Sequence, residues 1–114
     1  MSPTAPFSPS ITKGGFIFTS GQVYLKDGKL IEGSVEDKTH QVMENLKVVL
    51  EKAGVSFRDV VKTTIYTTDM SLYGKINEVY GSYFSESYPD RETVCVKELP
   101  LGAILEMSMV AFKL

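Results

Sequence analysis

Hydrophobic positions along this chain switch between strand-like and helix-like spacing, and each switch marks the boundary of an element. Phe16-Ile17-Phe18-Thr19-Ser20, after the Gly14-Gly15 turn, is aromatic and β-branched and predicts a strand that Gly21 ends. Asp27-Gly28, between Val23-Tyr24-Leu25 and Leu30-Ile31, predicts a hairpin because both turn residues tolerate positive φ. From Ser34 the period lengthens. Val42, Leu46, Val49, Leu50 and Ala53 form one apolar stripe of a helix, with Glu44, Lys47, Glu51 and Lys52 off it. Ser34-Val35-Glu36-Asp37 supplies a capping-box start, with Asp in place of the usual Glu or Gln, and Gly54 a left-handed stop. The run from Val60 to Thr68 is β-branched without a breaker and predicts a central strand that Asp69 closes. Leu72, Ile76, Val79, Tyr80 and Tyr83 return to helical spacing until Pro89 forbids continuation. Glu92 to Lys97 and Ala103 to Phe112 predict two final strands, joined by Leu99-Pro100-Leu101-Gly102. The order β-β-β-α-β-α-β-β describes an α+β domain, one sheet with two amphipathic helices packed on it. Ahead of the first strand, Pro3, Pro6 and Pro9 predict an extended arm, barred from mid-sheet but free to lie across a neighbour.

The last strand raises a problem of cover. Ala103, Leu105, Met107, Met109 and Ala111 fall on one side, which suits a helix-covered core. The other side reads Ile104, Glu106, Ser108, Val110, Phe112, too apolar for water, and no third helix is predicted to cover it. Another copy of the chain is expected there, in a closed symmetric oligomer.

Composition narrows the function. A length of 114 residues with 43% hydrophobic and 23% charged positions fits one globular domain over residues 1–114. Twelve basic groups against fourteen acidic ones give a net charge of -2, so no broad cationic field exists to hold a phosphate backbone and nucleic acid is a poor partner. One Cys and one His can neither close an internal disulfide nor fill a usual zinc site, which points to a metal-free chain of the cytoplasm. The N-terminal segment has neither the cationic start nor the long apolar core of a secretion signal, and no apolar run approaches the roughly 20 residues of a membrane helix. Neither a phosphate loop nor a dinucleotide fingerprint occurs.

Few residues remain that could carry chemistry. Glu106 is a carboxylate midway along a strand with Ile104 and Val110 on its own face; it is either a base that orients water in a cleft or a wet-edge residue paired with a Lys such as Lys97. Arg91 follows the rigid Tyr88-Pro89-Asp90 corner, where its five donors suit a small carboxylate unless they pair with Asp90 or Glu92. His40 lies off the apolar stripe of the first helix with nothing nearby to orient it as a base. Cys95 alternates within a strand and reads as a small core or interface residue. Ser20-Gly21-Gln22 offers a hydroxyl, open backbone and an amide, or simply a turn.

Taken together, these segments resemble the reactive intermediate deaminase family, RidA/YjgF, nearly end to end. The resemblance is carried by Ala5-Pro6-Phe7-Ser8, Phe18-Thr19-Ser20-Gly21-Gln22, Glu51-Lys52-Ala53-Gly54, Val60-Val61-Lys62-Thr63-Thr64, Tyr88-Pro89-Asp90-Arg91, and Leu99-Pro100-Leu101-Gly102-Ala103 leading to Leu105-Glu106-Met107. It implies the chorismate-mutase-like RidA fold, one sheet with two helices on one face, assembled as a homotrimer around a central β-barrel with a cleft at each subunit boundary. It also implies hydrolysis of 2-imino or 2-enamino acids, such as 2-iminobutanoate and 2-iminopropanoate, to 2-keto acids and ammonia, without metal or organic cofactor. By position, Arg91 matches the family residue that clamps the substrate carboxylate and Glu106 the acid that holds the attacking water. Ser20 and Asn77 fall on cleft positions, the Thr93 backbone is expected to hydrogen-bond the ligand, and Phe7 to wall the pocket from above.

The chain departs from the family pattern at four of these places. Phe7 stands where many members have Tyr, Thr93 where Cys is frequent, Ser108 where a second acid is often seen, and Asp90 where Ala precedes the Arg. Asp90 is thereby expected to compete for Arg91. Two other activities attach to the same resemblance: a non-catalytic trimer that binds a small carboxylate and regulates a partner, and an endoribonuclease or translation inhibitor. The acidic balance argues against the last of these.

Overall fold

The capping box at Ser34 fixes where the first helix begins. In the computed structural model, which describes residues 5–114, the Ser34 hydroxyl accepts from the Asp37 amide at 3.0 Å and the Asp37 carboxylate accepts from the Ser34 amide at 3.3 Å. Helix α1 then runs Val35–Lys52, and Gly54 takes a φ of 84° just beyond it. Four strands precede α1: β1 (Ser10–Lys13), β2 (Phe16–Thr19), β3 (Leu25–Lys26) and β4 (Lys29–Leu30). After it come β5 (Val60–Thr67), α2 (Tyr73–Gly81), β6 (Asp90–Cys95) and β7 (Leu105–Phe112). The expected Asp27-Gly28 hairpin forms between β3 and β4, which stand apart as their own ribbon. Asp69 caps the turn into α2 by accepting from the Ser71 amide at 2.9 Å.

The main sheet has the order β1-β2-β7-β5-β6. Every neighbouring pair is antiparallel except β5 and β6, whose parallel pairing needs a crossover, and α2 provides it. The sequence expectation of three strands before the first helix is corrected to four. Part of the proline-containing arm becomes strand β1, because its prolines end at Pro9 and an edge strand uses backbone donors on one side only. Pro3, read as part of that arm, lies outside the described residues.

Alternation along the central strands divides the sheet into two unlike faces. Thr63, Ile65 and Thr67 of β5 and Leu105, Met107, Met109 and Ala111 of β7 are buried beneath the helices, against Val42, Met43, Leu46 and Leu50 of α1 and Ile76 and Tyr80 of α2. Met43 rather than Val49 completes the stripe of α1. On the opposite face Glu106, Ser108, Val110 and Phe112 are only half-buried. Beside them Phe16 is 41% and Phe18 46% exposed, and the Phe16 and Phe112 rings meet edge to face with centroids 4.9 Å apart. The apolar second face expected from the sequence is therefore present, and aromatic.

Candidate functional site

Five of the six predicted site residues, all but Thr93, line two separate cavities, one on each side of the sheet. The first surrounds Arg91. In the β5–β6 register Arg91 pairs with Thr63, so it shares the helix-covered face. Its Nη1 donates to Asn77 Oδ1 at 2.6 Å and its Nη2 to the Tyr73 hydroxyl at 3.0 Å. The guanidinium carbon lies 5.3 Å from the ring centroids of both Tyr73 and Tyr80. Tyr80 is itself fixed, since its hydroxyl donates to Thr63 Oγ1 at 2.9 Å, and burial raises its pKa so that it keeps the proton it donates. The guanidinium is thus held by two acceptors and two rings while three of its five N–H donors stay uncommitted to side chains, enough for one bidentate carboxylate. A cavity of about 300 Å³ opens there, lined by Asn77, Tyr80, Gly81, Tyr88, Pro89 and Arg91.

Two expectations about Arg91 are corrected by this geometry. Asp90 does not compete for the guanidinium; its carboxylate accepts from the Arg91 backbone amide at 3.1 Å, because adjacent strand residues point to opposite faces. Glu92 is likewise engaged elsewhere, in an ion pair with Lys62 at 2.9 Å. Asn77 lines the same cavity, with its amide oxygen held on the guanidinium. Thr93 follows two residues along β6 on the same face, and its hydroxyl is buried without a hydrogen-bond partner among the described residues. As β6 is the outermost strand, alternate backbone groups along it face away from β5.

The second cavity, about 490 Å³, surrounds Glu106. Glu106 pairs with Tyr66 in the β5–β7 register and so stands on the aromatic, helix-free face. Burial raises its pKa above the ordinary carboxylate value. Among the described residues it forms no ion pair with Lys97. Phe7 lies on the cavity wall, and Ser20, Gly21 and Gln22 line the part beside the carboxylate. The Ser20 hydroxyl is committed to the arm, donating to the Ser8 carbonyl, and the Ser20 amide donates to the Pro9 carbonyl at 2.9 Å. Ser20 therefore holds the segment that carries Phe7. Leu101, 64% exposed with a left-handed φ of 63°, lines the same cavity.

Within one chain Arg91 and Glu106 do not converge: they occupy opposite faces of the sheet with β5 between their strands. The sequence assigns no site role to Tyr73, Tyr80 or Leu101. The spacing Tyr73, Asn77, Tyr80, at i, i+4 and i+7 of one helix face, is a signal that would have found the Arg91 cradle. His40, expected to be unoriented, has Nδ1 3.0 Å from the Tyr83 hydroxyl, which donates to Glu44 at 3.0 Å. Burial, reinforced by Glu44, pushes the Tyr83 hydroxyl up to about 12. Cys95 is exposed in the protomer, and neither it nor His40 lines the two cavities. Among the described residues no helix is long and apolar enough to cross a membrane.

Comparison with known proteins agrees with the motifs. The family model described as Endoribonuclease L-PSP matches residues 1–113. A RutC family protein of Pyrococcus horikoshii is 43% identical over 113 residues, covering 97% of this chain and 90% of the relative. Among solved structures, RidA from an Antarctic Psychrobacter superposes with a TM-score of 0.91 at 34% identity, over 97% of this chain and 91% of that one. TdcF of E. coli, solved with bound serine, superposes with a TM-score of 0.91 at 34% identity, over 96% of this chain and 90% of its own. On the match of nearly the whole chain, in sequence and in fold, this protein belongs to the Endoribonuclease L-PSP family, the RidA/YjgF group.

Proposed function

We propose that this protein hydrolyses 2-imino and 2-enamino acids to 2-keto acids and ammonia, at clefts where the Arg91 face of one protomer meets the Glu106 face of the next in a closed trimer. The observation that carries the reading is the pair of half-sites. A guanidinium is anchored with donors to spare in one cavity, and a half-buried carboxylate stands in another that Arg91 cannot reach within the chain. The aromatic strip of Phe16, Phe18 and Phe112 beside Glu106 supplies the surface on which a second copy packs, and closure into a ring would gather these sheets into a barrel with the helices outside. The solved TdcF complex supports a ligand of this size, since serine carries a carboxylate on a carbon that also bears nitrogen.

The chemistry needs little machinery. Arg91 takes the substrate carboxylate on its remaining donors, and Thr93 of the same strand offers backbone hydrogen bonds to the ligand. The iminium carbon is already electrophilic. Glu106 accepts a proton from water as the oxygen attacks that carbon, giving a carbinolamine; that proton passes to nitrogen, the hydroxyl gives its own proton to Glu106 as the C–N bond breaks, and keto acid leaves with ammonia, which takes up that proton as ammonium. Phe7 closes the cavity from the arm.

The test is direct. With 2-iminobutanoate or 2-iminopropanoate released by a pyridoxal-phosphate lyase, this protein accelerates keto-acid formation over the lyase alone. Binding of 2-ketobutyrate with no acceleration of any imine would replace the enzyme reading with a carboxylate-binding regulatory trimer.

A further inference from the structure

Gly21 and the Glu106 side chain claim the same space. A Cβ built on Gly21 would stand 2.7 Å from Cδ and 3.1 Å from Cγ of Glu106, and closer still to Oε2. The backbone does not ask for glycine, because Gly21 is not among the residues with positive φ. The reason for glycine at this position is steric.

The segment around it cannot retreat. The Gln22 amide donates to the Met107 carbonyl at 2.8 Å and the Met107 amide to the Gln22 carbonyl at 3.0 Å. Upstream, the Met109 amide donates to Thr19 Oγ1 at 2.9 Å, and Ser20 is bonded to Ser8 and Pro9. Gly21 is therefore pinned on both sides, chiefly to the strand that carries Glu106. The part free to move is the Glu106 side chain, with three rotatable bonds.

We propose that Gly21 is a positioning residue for Glu106: its missing side chain leaves the seat in which the carboxylate rests, and any larger residue expels the carboxylate from it. The consequence for rate rests on the imine-hydrolase reading; the geometry does not. The seat keeps the carboxylate against the cavity wall, partly withdrawn from water and aimed at one point, as a base that orients a single water must be.

Gly21→Ala tests this when compared with wild type, Glu106→Asp and the double variant. In Gly21→Ala the ¹³C resonance of the Glu106 carboxyl, assigned by its loss in Glu106→Gln, moves, and its titration midpoint falls toward the ordinary carboxylate value. For imine hydrolysis kcat falls about 100-fold, the scale of a displaced acid or base, with KM changing far less. Asp is one methylene shorter: its Cγ keeps only the 3.1 Å approach and its carboxylate oxygens can turn aside, so in the Glu106→Asp background adding Ala costs far less than in wild type. An unmoved Glu106 resonance, or an equal loss in both backgrounds, overturns the proposal. If wild type hydrolyses no imine, the functional reading fails and the resonance alone decides whether Gly21 seats the carboxylate. Should Gly21→Ala not fold, folding of Gly21→Ala/Glu106→Asp supports the clash with Glu106, and its failure to fold overturns it.

Discussion

Arg91→Ala lowers kcat/KM for the imine by about 100-fold or more, and most of the loss appears in KM. Each charge-assisted hydrogen bond to a carboxylate contributes about 1.5–3 kcal/mol, so losing two removes about 3 kcal/mol or more, and every 1.4 kcal/mol is a factor of ten. Arg91→Lys is no rescue. Lysine brings a point charge with three donors, and cannot at once satisfy Asn77, reach the Tyr73 hydroxyl, lie over two rings and present a flat pair of donors. A loss of about tenfold is expected for it. Tyr80 stays fixed in both variants through Thr63, so thermal unfolding changes little and serves as the control. Steady-state kinetics showing Arg91→Ala within threefold of wild type would remove Arg91 from the site.

Glu106→Gln separates activity from stability in opposite directions. Gln cannot accept the proton of the attacking water, so kcat falls about 100-fold or more. Stability moves the other way. Burial raises the Glu106 pKa in the folded chain above its unfolded value, so the folded state holds that proton more tightly. Folding stability from this group is present below the unfolded pKa and is lost as pH rises through the folded one. At neutral pH the wild type therefore carries a partly buried charge that Gln lacks, and Glu106→Gln melts at a higher temperature. Below the ordinary carboxylate range the two chains converge. In the wild type, kcat falls as pH drops through the raised Glu106 pKa. Melting curves at both pH values, with the kcat profile, check all three statements; a variant less stable at neutral pH, or as active as wild type, contradicts them.

The elements were legible because their signals are local. Ser34 with Asp37, Asp27 with Gly28, and the unbroken run from Val60 each declare a structure within a few residues. The alternation around Glu106 was equally plain, and it foretold an apolar second face that the structure shows to be aromatic. The resemblance to RidA supplied Arg91 and Glu106 as a pair. Their placement on opposite sheet faces was not legible, because it depends on how β6 registers against β5 and β5 against β7, and registers between distant strands are set by tertiary packing. Ser20 shows the same limit. Its type and position suit a ligand contact, yet its hydroxyl holds the Ser8 carbonyl of an arm whose path only the fold defines. Tyr73 is not legible as a site residue, because a tyrosine opening a helix becomes an anchor for Arg91 only once β6 lies beside it.

The central claim is that one protomer supplies the guanidinium and another the carboxylate. Arg91→Ala and Glu106→Gln chains, each nearly inactive alone, are denatured together in equal amounts and refolded into mixed trimers, whose mass is checked in solution. If each cleft draws one group from each of two chains, random assortment restores about a quarter of wild-type imine hydrolysis, because half the clefts receive an intact Arg91 and half of those an intact Glu106. Mixed trimers as inactive as their parents would mean that every cleft draws both groups from a single chain, which contradicts a site shared between protomers.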